Sequence, residues 1–147
     1  MKNLLQILKM KGLPFMSDYN QKLENFQNAL ERLKEGFAKF DDVNDLLRDG
    51  LIQRFEFTFE LAWKTLKAIF EDEGLKGLNS PKTVLKEAFA ADLIADDELW
   101  LAMLNDRNST AHIYSEEMAK EICANITTKY ITEFEEIIKK IKTRTGI

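Results

Sequence analysis

The chain has 147 residues, 45% of them hydrophobic and 31% charged, and a formal net charge of −4. That length and composition predict one ordinary globular domain and exclude a disordered or fibrous chain. The acidic balance argues against a general nucleic-acid binder, since phosphate contacts need clustered Lys and Arg, and no apolar run approaches the roughly 20 residues that cross a bilayer.

Residues 1–15, MKNLLQILKMKGLPF, are basic and partly apolar. They lack the long apolar stretch and small-residue cleavage site of a secretory leader. We read them as an N-terminal extension, dispensable or the product of an upstream start codon, ahead of a single domain over 16–147 that opens at Met16. From Leu23 the apolar positions Phe26, Leu30, Leu33, Phe37 and Phe40 follow at alternating steps of three and four, which predicts a helix over 18–40. Asp41 and Asp42 are candidate caps for a second helix over about 43–73, with Asp49-Gly50 a candidate break. Ile52, Phe55, Phe59, Trp63, Leu66 and Phe70 form one broad face of that helix, while Phe57, Leu61 and Ala68 fall nearly opposite. A helix apolar on two sides is buried on two sides. The second cover is either another subunit or a further part of this chain, a fifth helix or the N-terminal extension.

Gly74 suits a helix C-terminus. Ser80-Pro81 then starts a short helix to about Ala91, with Ser as N-cap and Pro at the first position. Asp96 caps a helix over about 97–108, and Ser115 caps the last one, with Glu116 and Glu117 at its positive end. Ile122, Ile126, Tyr130, Phe134, Ile138 and Ile141 line one stripe of the last helix. Its basic end, Lys139, Lys140, Lys142 and Arg144, suits the negative helix terminus. No strand signal or repeat is present. The expected fold is all-α: an antiparallel up-and-down bundle of four main helices plus a short extra helix. Trp63, Trp100 and Cys123 read as core residues. One cysteine and one histidine form neither a disulfide nor a zinc set, so no metal or cofactor is expected, and a lone thiol fits a reducing cytoplasm.

Polar chemistry concentrates where the fourth helix ends. Adding seven to Trp100 gives Arg107, so a guanidinium continues the core-facing stripe and must be paired or line a cleft. Asn108 suits a left-handed exit from the helix. His112 and Tyr114 follow on the connection. Histidine moves protons near neutral pH, and arginine holds a phosphate with two parallel hydrogen bonds. Together they could cleave RNA without metal, and a two-fold dimer would supply two of each. The simpler role is a helix end whose arginine pairs with a nearby acid such as Asp106. Glu56 and Glu60, one turn apart and flanked by Lys64 and Lys67, read as a solvated, salt-bridged face.

The run Arg107-Asn108-Ser-Thr-Ala-His112-Ile-Tyr114 resembles the R-x4-H-x-Y motif of the HEPN superfamily, and Asn108 fits its polar position after the arginine. RFEFTFELAWKTLK (54–67) resembles the hallmark of one branch, the nucleotidyltransferase substrate-binding protein family; the likeness covers about 18–143. It implies a homodimeric helical bundle that works beside a separately encoded minimal nucleotidyltransferase. It also implies one of two roles. In the first, the chain is a metal-independent endoribonuclease toxin using Arg107 and His112, neutralised when the partner adds AMP to Tyr114. In the second, it is a non-catalytic substrate-binding subunit of a two-protein transferase. Nothing in the chain resembles the paired carboxylates that hold Mg²⁺ in a nucleotidyltransferase, so the transfer chemistry would belong to the partner.

Overall fold

The computed structural model describes residues 18–112 and 115–147; the N-terminal extension and Tyr114 lie outside them. In chain order the elements are α1 (Asp18–Ala38), α2 (Asp45–Asp72), α3 (Pro81–Ala90) and α4 (Asp97–Ser109). A 3₁₀ turn (Thr110–His112), α5 (Glu116–Asn125), a π turn (Ile126–Tyr130) and α6 (Ile131–Thr145) complete the chain. The regular elements among the described residues are all helical, as expected, in an antiparallel bundle with α3 as the short extra element. α1 packs most extensively on α2, with α6 against α1 and α3 and α4 against α2. No helix among the described residues is long and apolar enough to cross a membrane.

The helix starts follow side-chain capping. Ser80, Asp96 and Ser115 accept from the backbone N–H three residues on, at 3.2, 3.0 and 3.1 Å. For α2 the cap is not Asp41 or Asp42 but Asn44, whose Oδ1 accepts from Leu46 and Leu47 N–H. Asp41 instead accepts from Val43 N–H and shapes the preceding turn. The expected break at Asp49-Gly50 is absent, because α2 runs unbroken through it.

The core is an aromatic interlock. Phe55 stacks on Tyr130 with ring centroids 5.3 Å apart, and Trp100 meets Phe134 edge-on at 5.8 Å. Phe59 tilts against Trp100, and Phe26 closes edge-on upon Phe134. Such pairs contribute about 0.5–1.5 kcal/mol each beyond their area burial. The last helix is not regular. Ile122, Ile126, Tyr130, Phe134 and Ile138 are spaced by fours, and each step overshoots a full α-turn by about 40°. The π turn at 126–130 widens the winding there and keeps the row facing the core, where all five are buried.

Among the described residues one charge is buried outright. Arg48, 4% exposed, donates to Asp42 O and, at 3.0 Å, to Glu116 Oε1 at the start of α5. Cys123 Sγ lies 3.8 Å from the Arg48 carbonyl, and burial pushes this thiol up to about 11. At the far end Arg144 forks onto Glu73 at 3.0 and 2.8 Å, so part of the basic terminus is paired across the bundle with the end of α2.

The second apolar side of α2 divides. Ala68 is buried and Leu61 packs on the core, but Phe57 is 66% exposed among the described residues. It borders an open groove of about 600 Å³ between α1 and α2, lined also by Asn28, Arg32, Gly50, Gln53 and Arg54.

Gly50 tests the continuity of α2. A Cβ there would meet no heavy atom within 4 Å, so Gly50→Ala should raise stability by about 0.5–1 kcal/mol. The urea midpoint should rise at constant m value; a lower midpoint would contradict regular helix at this position.

Candidate functional site

The site forms where α4 ends. Trp100 and Met103 are fully buried, and Trp100 Nε1 donates to Glu133 Oε1 at 3.0 Å, tying α4 to α6. Arg107 continues that inward stripe at the rim of the bundle, where its side chain remains 38% exposed. Its Nη2 donates to Glu60 Oε2 at 2.7 Å, and its Nη1 reaches Asn108 Oδ1 at 3.4 Å. Two nitrogens of a five-donor group are thus engaged, which leaves a cation fixed in direction and open to solvent.

Glu60 is the residue that sequence reasoning placed in a solvated pair. It does accept Lys64 Nζ at 3.4 Å on its own helix, but it also holds Arg107. Burial raises its carboxyl pKa, while the nearby Trp63 indole and the charges of Arg107 and Lys64 lower it; the lowering prevails. The Trp63 N–H is itself buried and, among the described residues, falls outside strict hydrogen-bonding geometry, yet its proximity leads the lowering, ahead of the charges of Arg107 and Lys64.

Asp106 is not the arginine's partner. Its Oδ2 accepts instead from Tyr130 Oη at 2.5 Å and from Asn125 Nδ2 at 3.2 Å. Burial, then the Asp106 hydrogen bond and charge, push the Tyr130 phenol far above its usual range, so it stays a donor. Adjacent residues of one helix point about 100° apart, and so Asp106 reaches the π turn while Arg107 reaches α2.

The expected left-handed exit at Asn108 does not occur. α4 runs on to Ser109, and among the described residues only Asp92 is a non-glycine with positive φ. Thr110 returns both its N–H and its hydroxyl to Arg107 O, the hydroxyl at 2.7 Å, which tightens the chain into the 3₁₀ turn. His112 ends that turn and is exposed. The structure therefore places Arg107, Asn108 and His112 on one continuous helical path, with Glu60 of α2 beside the arginine and Trp63 beside Glu60. A clue to Glu60 was its position inside RFEFTFELAWK, the segment that carried the family likeness; its i, i+4 lysine disguised it. Asn125 and Tyr130 left no such trace.

A model of the family described as "Nucleotidyltransferase substrate binding protein like" matches residues 21–143. A relative from Haemophilus influenzae named "Probable ribonuclease HepT" is 32% identical over 106 residues, 69% of this chain and 72% of the relative. Among solved structures, a protein from Thermus thermophilus superposes with a TM-score of 0.71 at 37% identity, covering 80% of this chain and 98% of its own. A Haemophilus influenzae structure described as the fold of a substrate binding domain of a nucleotidyltransferase gives 0.68 at 29% identity, covering 82% and 98%.

The ion pair predicts an acid-side signature. A carboxylate whose folded pKa is lowered below its usual 4.5 contributes fully above that value, and the contribution is lost as pH falls through the lower folded value. Glu60→Gln should therefore be less stable than wild type by about 0.5–1 kcal/mol at neutral pH. The gap should close in acid below 4.5; a gap unchanged at about pH 2 would show that Glu60 acts by packing alone.

Proposed function

This chain belongs to the nucleotidyltransferase substrate binding protein like family, and from that premise we propose that it pairs with a separately encoded minimal nucleotidyltransferase and, when free, cleaves RNA without metal. The observation that carries this reading is the solvent-open guanidinium of Arg107, aimed by Glu60 at the end of a core-facing stripe and five residues from the only histidine in the chain. A relative named as a probable ribonuclease supports it.

In the cleavage step the RNA 2′-oxygen attacks the adjacent phosphorus and the bond from phosphorus to the 5′-oxygen breaks. A 2′,3′-cyclic phosphate and a 5′-hydroxyl result. His112 accepts the 2′-hydroxyl proton, and a second imidazole delivers one to the leaving oxygen. Arg107 stabilises the charge that builds on the phosphoryl oxygens, with Asn108 supporting its orientation. Five residues along this path, part α and part 3₁₀, rotate a side chain by roughly 140–180°, so one copy does not stack arginine and histidine on one face. A two-fold homodimer supplies both groups twice to a shared cleft. Its pairing face is the side of α2 bearing Phe57, whose exposed ring lies one turn from Glu60. Neutralisation follows when Tyr114 Oη attacks the α-phosphorus of ATP in the partner and pyrophosphate leaves. The added phosphodiester charge then competes with RNA phosphate for Arg107 and His112.

The second reading, a non-catalytic substrate-binding subunit, is favoured by the description of the Haemophilus influenzae structure and by the net charge of −4. Metal-free incubation of total RNA separates the two. Wild type should yield cyclic phosphate ends, and His112→Ala, equally folded, should yield none. Loss of the arginine in Arg107→Ala should cost about 10²–10³ in rate. Cleavage that persists in pure His112→Ala removes the histidine from the mechanism, and no cleavage by wild type favours the binding subunit. Light scattering on the same samples should give twice 17.1 kDa for wild type and the monomer mass for Phe57→Glu; a monomeric wild type ends the dimer reading. Mass spectrometry after incubation with the transferase and ATP should find AMP on Tyr114, and an unmodified tyrosine in an active pair would refute neutralisation by that route.

A further inference from the structure

The π turn in the last helix has a partner outside its own helix. Asn125 and Tyr130 are five residues apart, and regular α-helix would point them about 140° from one another. They nevertheless meet the same oxygen, Asp106 Oδ2, at 3.2 and 2.5 Å. The i→i+5 winding between them makes this convergence possible. Tyr130 is fully buried, its ring held against Phe55, so the phenol hydroxyl is a donor with a fixed address. Asp106 directly precedes Arg107 in the last turn of α4. The other cross-bundle hydrogen bond from α4 before the arginine, Trp100 to Glu133, lies nearly two turns earlier.

We infer that Asn125 and Tyr130, acting through Asp106, are positioning residues that set the rotation of the last turn of α4, and with it the placement of Arg107 and of the 3₁₀ turn carrying His112. The inference rests on the ribonuclease reading for its consequence in catalysis, but not for the coupling itself. With the clamp in place, Asp106 pins one side of the turn to the π segment and Glu60 pins the other to α2. The two anchors leave the turn little freedom to roll about its axis. Removing the hydroxyl leaves Asp106 with Asn125 alone, and the guanidinium can then drift while remaining paired to Glu60.

Tyr130→Phe tests this directly, because it keeps the ring on Phe55 and deletes one oxygen. Asp106→Leu removes the acceptor altogether, and Asp106→Asn restores an acceptor oxygen as the conservative rescue. Glu133→Ala is the control, since it frees the Trp100 N–H on the same helix without touching the clamp. The chain has a single histidine, so its imidazole proton resonance reports on His112 without assignment. Tyr130→Phe should shift that resonance and lower kcat for RNA cleavage by about 10- to 100-fold with KM unchanged. Asp106→Leu should do the same, Asp106→Asn should return both readouts toward wild type, and Glu133→Ala should leave both unmoved. An unmoved resonance in Tyr130→Phe, or an equal effect of Glu133→Ala, overturns the inference. If wild type cleaves no RNA, the ribonuclease reading fails on its own, and the resonance alone then decides whether the clamp reaches the turn. Where Asp106→Leu fails to fold, Tyr130→Phe carries the test.

Discussion

The contact between Arg107 and Glu60 joins positions 47 residues apart and is the constraint on which the candidate site depends. As a half-exposed ion pair it contributes little to stability; its effect is on direction. A guanidinium at the rim of a bundle would otherwise sample many rotamers, and ordering it at the moment of binding has an entropic cost. Here the carboxylate meets that cost in the folded chain. Glu60 in turn stands on the helix whose neighbouring turns carry Phe55 and Phe59, and these rings pack against Tyr130 and Trp100. The aromatic interlock therefore sets the height of Glu60, and through it the aim of the arginine.

Much of the fold was legible because it is encoded locally. Ser80, Asp96 and Ser115 announced helix starts by their own chemistry, and the three–four spacing of α1 declared its buried face. Where the reading departed from the structure, the deciding interaction lay outside the residues that were read. Asp49-Gly50 reads as a break, yet α2 continues through it because packing on both flanks outweighs a local cost of about 1 kcal/mol. Asn108 reads as a helix exit, yet Thr110 turns back to Arg107 O and tightens the chain instead. The row of fours at 122–138 did hold the sign of a wider turn, since no regular α-helix keeps that period on one face, but it passes for an ordinary stripe when read one step at a time.

The same division holds at the site. Arg107, Asn108, His112 and Tyr114 were singled out by a short motif, whereas Glu60 and the acceptor role of Asp106 depend on which helices become neighbours, and spacing along the chain does not carry that. Net charge is blind to such placement for a related reason, being an average over the whole surface. The groove beside Phe57 is lined by Arg32 and Arg54 and by no carboxylate, a local balance opposite to the chain total of −4.

The salt link between the buried Arg48 and the exposed Glu116 bears on His112 from the other side. It ties the first residue of α5 to a buried guanidinium, and the Ser115 cap fixes the turn that follows. From Ser115 back to His112 is three residues of chain, a leash of roughly 10 Å at full stretch. The imidazole is thus moored at both ends of its connection, to α4 on one side and to a buried cation on the other. It cannot sweep across the surface, and whatever group it meets must come to within that short radius.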